Sequence, residues 1–292
     1  MQLLETHIAK KLQEPIRFQE YGVGVFKTIP TKSSIKKAIK KGYIFIDGVL
    51  ATTSKYISGG EKIELFEPKN QANFKRLKLD LEVLFEDDYL AIIYKPSGIL
   101  VSGNKFVTVA NALTQNLQKS NQTDAVKPQP IHRLDYPTSG VLLVGKTSSS
   151  IQKLSDLFKN KEIQKTYFAI AIGKMCAGGT INFKVDDKQA STEFEVLSSV
   201  KSERFEFLNL VKLLPKTGRK HQLRKHLSAI DHQILGDQDY GNSELILKGK
   251  GLYLHAFSLE FLHPFTKETI SISKELPKKF KKIFIFCHEY TN

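Results

Sequence analysis

Residues 132–147 read HRLDYPTSGVLLVGKT, and the reading of this stretch decides the fold. An Asp flanked by His and Arg leads into a Thr-Ser-Gly turn. An apolar strand follows and ends in Lys. A chain built this way presents one carboxylate, that of Asp135, at the mouth of a buried sheet. A carboxylate so placed serves as a nucleophile at a sugar carbon or as a base. The plainer reading is a turn aspartate paired with Arg133. Pro137 fixes its own φ and biases Tyr136 toward extended geometry.

Downstream, SSSIQKLSDLFKN (148–160) has the spacing of a helix and IQKTYFAIAIG (163–173) that of a strand. In that strand Tyr167, Ala169 and Ala171 share one face, and Phe168, Ile170 and Ile172 the other. A Tyr among small residues leaves room for a flat ring to stack on it. Residues 217–241, TGRKHQLRKHLSAIDHQILGDQDYG, begin with a turn at Gly218 that leads into a helix. Leu223 and Leu227 stand at i, i+4 toward the core, and Lys220 and Arg224 stand at i, i+4 on an adjoining face. Two spaced cations beside a cleft pair an Asp or bind phosphate. LYLHAFSLEFLHPF (252–265) alternates as a strand pair, with His255 and His263 near its ends.

Upstream, LEVLFEDDYLAIIYKPSGILV (81–101) reads as two short strands joined at an Asp-Asp turn and closed by Lys-Pro-Ser-Gly. Residues 117–130 read as a polar loop. In residues 30–66, SSIKKAIKKG carries Ile35, Ala38 and Ile39 on one helical face and Lys36, Lys37, Lys40 and Lys41 on the other. Ser33 or Ser34 caps this helix and Gly42 ends it. YIFIDGVLA follows as a strand into an Asp-Gly turn, and GGEKIELF as an alternating strand. The N-terminal MQLLETHIAKKLQEP has Leu4, Ile8 and Leu12 at the spacing of a short amphipathic helix.

The chain has 292 residues, 44 of them Lys or Arg against 30 Asp or Glu, a net +14. That length suits two domains, and that charge suits a polyanionic partner. The two cysteines, Cys176 and Cys287, make no disulfide framework or metal spacing, which implies a reducing compartment. The N-terminus lacks the h-region of a signal peptide, and no apolar run reaches the length of a membrane span. A soluble, cytoplasmic protein is expected. His132, His221, His226 and His255 have no metal-ligand spacing. No GxGxxG, Walker or GxSxG loop occurs, so no metal and no cofactor is expected.

The HRLDxxTSG stretch, the K-x-Y-x-A of residues 165–169 and residues 218–241, which are similar to a GRxHQIRxHL…GDxxYG motif, together resemble the large-subunit-rRNA/tRNA type of pseudouridine synthase. The basic segment 30–66 resembles an S4 RNA-binding domain. The resemblance implies an α+β protein with a long, mostly antiparallel mixed sheet crossed by a central cleft, preceded by a small S4-like domain. It divides the chain into residues 1–67, a linker 68–82 and a catalytic domain 83–292. It implies cofactor-free conversion of uridine in structured RNA to pseudouridine; the S4-like domain tilts the expected substrate toward ribosomal rather than transfer RNA, and a monomer is the default where the sequence does not give the oligomeric state.

The resemblance makes Asp135, Tyr167 and Arg224 catalytic, with Arg224 pairing Asp135 and Tyr167 and Leu223 holding the base. Arg133, Arg219 and His221 would bind substrate in the cleft, and Lys36, Lys37, Lys40 and Lys41 would bind RNA from the front. His255 is assigned to structure. Asp135 would add to the base, attack C1′ or remove a sugar proton, three routes left open. Other readings are an RNA-binding or chaperone protein with a spent site, and a carboxylate hydrolase. The hydrolase is disfavoured because only one carboxylate stands out.

Overall fold

The computed structural model describes residues 1–67, 77–247 and 249–284. The chain divides into two compact units, Met1–Arg76 and Leu77–Asn292. In the first, β1 (Gln2–Ile8), β2 (Ile16–Arg17), α1 (Phe18–Tyr21), α2 (Lys32–Lys40), β3 (Ile44–Ile46), β4 (Val49–Leu50), β5 (Tyr56–Ile57) and β6 (Lys62–Glu67) follow one another. β1, β6, β3 and β4 form one sheet in that order. Ile35, Ala38 and Ile39 of α2 are buried with Phe18, Ile44, Ile57 and Ile63, and Lys36, Lys37, Lys40 and Lys41 stay exposed. The apolar stripe of α2 therefore supplies the core, as its periodicity predicts. Asp47 and Gly48 both have positive φ, 52° and 77°, as a two-residue hairpin turn requires.

Two local expectations change here. The cap of α2 is Thr31, not Ser33 or Ser34. Thr31 and Ser34 satisfy each other's backbone N–H groups in a capping box. The N-terminal segment is a strand, not a helix. Leu4 and Ile8 are 40% and 57% exposed, so the predicted helical stripe has no core to cover. The backbone instead pairs with β6, from Gln2 opposite Glu67 to Ile8 opposite Lys62.

The second unit runs β7 (Val83–Glu86), β8 (Leu90–Lys95), α3 (Val109–Asn116), β9 (Ala125–Pro130), β10 (Ser139–Thr147), α4 (Ser148–Asn160), β11 (Gln164–Ile172), β12 (Gly178–Ile181), β13 (Thr192–Ser202), β14 (Glu206–Pro215), α5 (Gln222–Ala229), a 3-10 turn (Ser243–Leu245), β15 (Leu254–Leu262), β16 (Thr269–Ser273) and α6 (Lys278–Lys281). Ten strands form one sheet in the order β12-β13-β14-β11-β15-β10-β8-β7, with β16 beside β15 and β9 beside β10.

Leu142 and Val144 of β10 join Val109, Ala112 and Leu113 of α3 on one side of the sheet. Val141 and Leu143 join Leu154 of α4 on the other. This burial on both faces is why VLLV shows no polar alternation. All the pairings of this sheet are antiparallel except β10 with β15, where Ser139 faces His255 and Gly140 faces Ala256. Gly140 has φ +130°, and a Cβ there would lie 2.1 Å from the Ala256 carbonyl oxygen. The glycine of the TSG turn is thus required by the close approach of two strands.

The polar stretch 117–130 is not all loop, since β9 pairs with β10. Of the linker expected over 68–82, residues 68–76 lie outside the described residues. Residues 77–82 already belong to the second unit. Leu81 is buried with α3, and Asn116 both accepts from the Leu81 N–H and donates to the Leu79 carbonyl. The expected pair 252–265 is one strand, β15, whose partner β16 comes from residues beyond it. Cys287 lies outside the described residues. No helix among the described residues is long and apolar enough to cross a membrane.

Candidate active site

Asp135 sits in a turn closed by the Thr138 N–H donating to the Asp135 carbonyl at 3.0 Å. Leu134 anchors the turn in the core, so the next side chain points away from it. The Asp135 side chain is 15% exposed. Behind the turn lies Lys95, fully buried at the end of β8. Its ammonium donates to the carbonyls of Thr138 at 2.7 Å, Pro96 at 2.9 Å and Tyr136 at 3.4 Å. The Gly98 N–H also donates to the Tyr136 carbonyl. The Lys-Pro-Ser-Gly segment thus braces the Asp135 turn from below. Burial lowers the Lys95 amine to about 8, against the opposing pull of the Asp135 charge. Sequence reasoning misses Lys95; a Lys at the end of an apolar strand, just before Pro, is its one signal.

His132 fixes the other side of the turn. Its Nε2 accepts the Leu143 N–H at 3.1 Å, and its ring lies 4.7 Å from that of Phe158. Burial, and then the nearby Lys165 charge, bring this imidazole down to about 3. His132 is therefore neutral and structural at physiological pH.

The Asp135 carboxylate opens into a cavity of about 340 Å³, within the range of small-molecule sites. Arg133, Asp135, Tyr167, Arg219, His221, Leu223 and Arg224 all line it, as do Lys165, Thr138 and Phe158. Every cleft residue expected from the sequence therefore converges on one cavity, drawn from the Asp135 turn, β11 and the approach to α5. Lys36, Lys37, Lys40 and Lys41 belong to the first unit and are not among its lining.

Tyr167 stands on β11, packed between two apolar clusters. Burial, reinforced by the Asp135 charge, pushes its phenol well above the ordinary tyrosine range. It is a neutral hydroxyl on an apolar ring, not a phenolate base. Leu223 is 7% exposed on α5, so an apolar side chain is available to face the ring.

His221 precedes α5 with φ 56°, and this left-handed residue turns its ring back toward Asp135. Its Nε2 is 3.7 Å from Asp135 Oδ1, and its Nδ1 is 2.8 Å from the Tyr240 hydroxyl. Burial lowers its pKa, partly offset by Asp135. The helix starts only at Gln222, so Lys220 and Arg224 do not share a helical face as expected. Gln222 is buried and ties the turn to its neighbours through the Arg219 N–H, the Thr217 hydroxyl and the Ser191 carbonyl.

Arg224 corrects an expectation. It does not pair with Asp135. Its Nε and Nη2 donate to the two Asp237 carboxylate oxygens at 2.7 and 2.6 Å, and Nη2 also donates to Asp239 at 2.7 Å. Its guanidinium lies over the Tyr240 ring, 4.9 Å from the centroid. Burial opposes its charge, but these two aspartates raise its pKa further. The sequence offers two acidic residues, Asp237 and Asp239, in the same GDQDYG stretch; the turn after α5 brings both under the guanidinium.

The family model described as RNA pseudouridylate synthase matches residues 89–229. The ribosomal large subunit pseudouridine synthase D of Buchnera aphidicola is 31% identical over 289 residues, 88% of this chain and 89% of that protein. The tRNA pseudouridine synthase C of Haemophilus influenzae is 33% identical over 231 residues, 70% of this chain and 96% of that protein. Among solved structures, human RNA pseudouridylate synthase domain containing 4 superposes with a TM-score of 0.55 at 26% identity, over 68% of this chain and 90% of that one. The chain belongs to the RNA pseudouridine synthases of the large-subunit-rRNA/tRNA type, enzymes that isomerise uridine in RNA.

Proposed function

We propose that Asp135 is the catalytic carboxylate of a uridine-to-pseudouridine isomerisation in structured RNA, with large-subunit ribosomal RNA the first substrate to test and transfer RNA the second. The observation that carries this reading is a single braced carboxylate, Asp135, at the mouth of a cavity walled by Tyr167 and Leu223. The reaction breaks the N1–C1′ bond, turns the uracil and joins C5 to C1′. The C5 proton leaves to solvent and N1 regains a proton, so atoms balance without a cofactor. A stacked base exposes neither C1′ nor C5 to a carboxylate, so the uridine leaves the stack.

Tyr167 and Leu223 sandwich the extruded base. The neutral Tyr167 hydroxyl is suited to hydrogen bonding and not to proton abstraction. His221, beside Asp135, and the cleft-lining Arg133 and Arg219 contact the substrate. Arg224 acts from one side, through the Asp237 and Asp239 pairs that fix α5 and its Leu223. The exposed lysines of α2 give the first unit an S4-like surface for RNA phosphates, and the working compartment is a reducing cytoplasm.

The test is tritium release from 5-³H-uridine-labelled, unmodified rRNA and tRNA, wild type against Asp135→Asn. Isomerisation frees the C5 hydrogen and hydrolysis does not. Release by wild type alone, with RNA binding by the variant within about tenfold, supports the assignment. Wild-type turnover by Asp135→Asn overturns it.

A further inference from the structure

Among the described residues of the second unit, the buried cations have partners, with one exception. Lys95 holds three carbonyls. Lys146 pairs with Glu86 at 2.6 Å. Arg224 pairs with Asp237 and Asp239. Lys279 donates to the Leu252 carbonyl at 2.6 Å.

Lys165 has no hydrogen bond or ion pair with any described residue. Its ammonium reaches only the Phe158 ring, 5.7 Å from the centroid, and it stands beside the neutral His132. It is half-buried in the wall of the cavity, and that burial lowers its pKa. A partly desolvated cation without a counter-charge costs stability. Asp135, the carboxylate that lines the same cavity, has His221 as its neighbour instead.

The position of Lys165 says what the missing partner is. It lies two residues before Tyr167 on β11, so both side chains project from the same face of the strand, about 7 Å apart along it. A uracil stacked on Tyr167 would therefore have Lys165 within reach of one of its edges, and its ribose and phosphodiester must leave the ring at an edge. Phe158, whose ring lies 5.7 Å from the ammonium, lines the same cavity, so the charge stands at the cavity wall.

We infer that Lys165 is a phosphate subsite, the residue that takes the phosphodiester of the nucleotide whose base lies on Tyr167. This rests on the reading of the cavity as a uridine site and assigns it a second anchor, on the sugar-phosphate side. The unpaired charge is then kept for the substrate at the expense of the free protein. Substrate phosphate removes the imbalance, so part of the binding of RNA is relief of an unmet charge.

The experiment titrates the full chain with uridine 5′-monophosphate, uridine 3′-monophosphate and uridine. It follows the lysine side-chain NMR resonance assigned by its loss in Lys165→Met. The Lys165 signal is expected to shift with at least one monophosphate, at concentrations roughly tenfold below any shift with uridine. Lys165→Met, which keeps an unbranched side chain of similar length without the charge, is expected to lose that preference, and Lys165→Arg to retain it. Lys165→Met is also expected to melt at or above the wild-type temperature, because it removes a charge with no partner. Equal responses to nucleoside and nucleotides, no phosphate-dependent shift, or a monophosphate preference intact in Lys165→Met overturns the subsite. A lower melting temperature in Lys165→Met makes the lysine structural and overturns it as well. None of these readouts needs turnover, so a failed tritium-release assay counts against the isomerisation reading separately.

Discussion

Arg224 and Asp237 form a bidentate ion pair, with contacts of 2.7 and 2.6 Å between side chains that are both nearly sealed from solvent. The pair joins α5 to the turn that follows it, and through α5 it sets the position of Leu223 in the cavity wall. Asp237 also accepts the backbone N–H groups of Asp239 and Tyr240, so one carboxylate serves both the arginine and the turn.

Removing one member strands the other. Asp237→Asn is expected to destabilise the protein by about 3–5 kcal/mol, and Arg224→Met by a similar amount. The two changes together should cost less than their sum. Thermal melts of the two single variants and the double variant measure that coupling. A strong stability coupling between Arg224 and Asp135, with none between Arg224 and Asp237, would contradict the pairing.

Gly140→Ala is expected to leave the protein insoluble or destabilised by more than about 4 kcal/mol, because the added carbon meets the Ala256 carbonyl in a strand of different origin. Gly98→Ala is the control. Gly98 also has positive φ, +79°, but open space around its Cβ position, so its cost is only the backbone term of about 1–2 kcal/mol. Equal melting temperatures for the two variants would show that the close approach matters less than the dihedral.

Lys95 gives a pH dependence. Protonated, it has a donor for each of its three carbonyls; as a neutral amine it has two and loses its charge near Asp135. Tritium release is therefore expected to fall on the alkaline side with an apparent pKa of about 8. Lys95→Arg, which stays charged, should move that limb upward, whatever it does to the maximal rate. For stability the sign is opposite. The folded pKa is below the ordinary lysine value, so the folding cost of this charge is fully present below about 8 and fades as pH rises through that value toward 10.5. A limb at the same pH in Lys95→Arg would remove Lys95 from the explanation.

His255 contributes to the acid side, alongside His132. It is fully buried, accepting from the Ser139 hydroxyl at Nδ1 and donating to the Lys274 carbonyl from Nε2. Burial lowers it to about 4. Because the unfolded chain takes up this proton first, stability is lost as pH falls from 6.5 to about 4, by up to about 3 kcal/mol. Melts of His255→Gln between about pH 4 and 7 should show a shallower decline than wild type. Parallel declines would assign the acid sensitivity to other groups.

Replacing Lys36, Lys37, Lys40 and Lys41 with Ala is expected to weaken RNA binding and flatten its dependence on salt, by up to about 0.9 in log–log slope for each phosphate no longer neutralised. Single-turnover rate at saturating RNA should change less than affinity. Equal losses in both would mean that the first unit does more than dock RNA.

Strong local patterns were legible in the sequence. The VLLV run of β10, the α2 stripe, the Asp-Gly hairpin and the helix over 148–160 each carry their own period or turn chemistry, and the folded chain keeps them. The cleft residues were legible because three separated motifs each contribute a few side chains to one place. What failed were statements about partners. Arg224 showed its charge, but its choice of Asp237 over Asp135 depends on a turn geometry that no spacing encodes. The N-terminal strand was misread because whether Leu4 and Ile8 cover anything is decided by β6, far along the chain. Lys95 and Lys165 stood in quoted motifs but were given no role, for a related reason. A lone lysine at a strand end or in a strand looks solvated until burial is known.

The parallel contact of β10 with β15 also bears on when activity can begin. Ser139 and His255, bonded across it, are 116 residues apart in the chain. The support of the Asp135 turn thus waits for nearly the last strand of the unit to leave the ribosome. Contacts of such long separation form late and slowly. A nascent chain that has released only its first unit therefore still lacks the strand that supports the Asp135 turn.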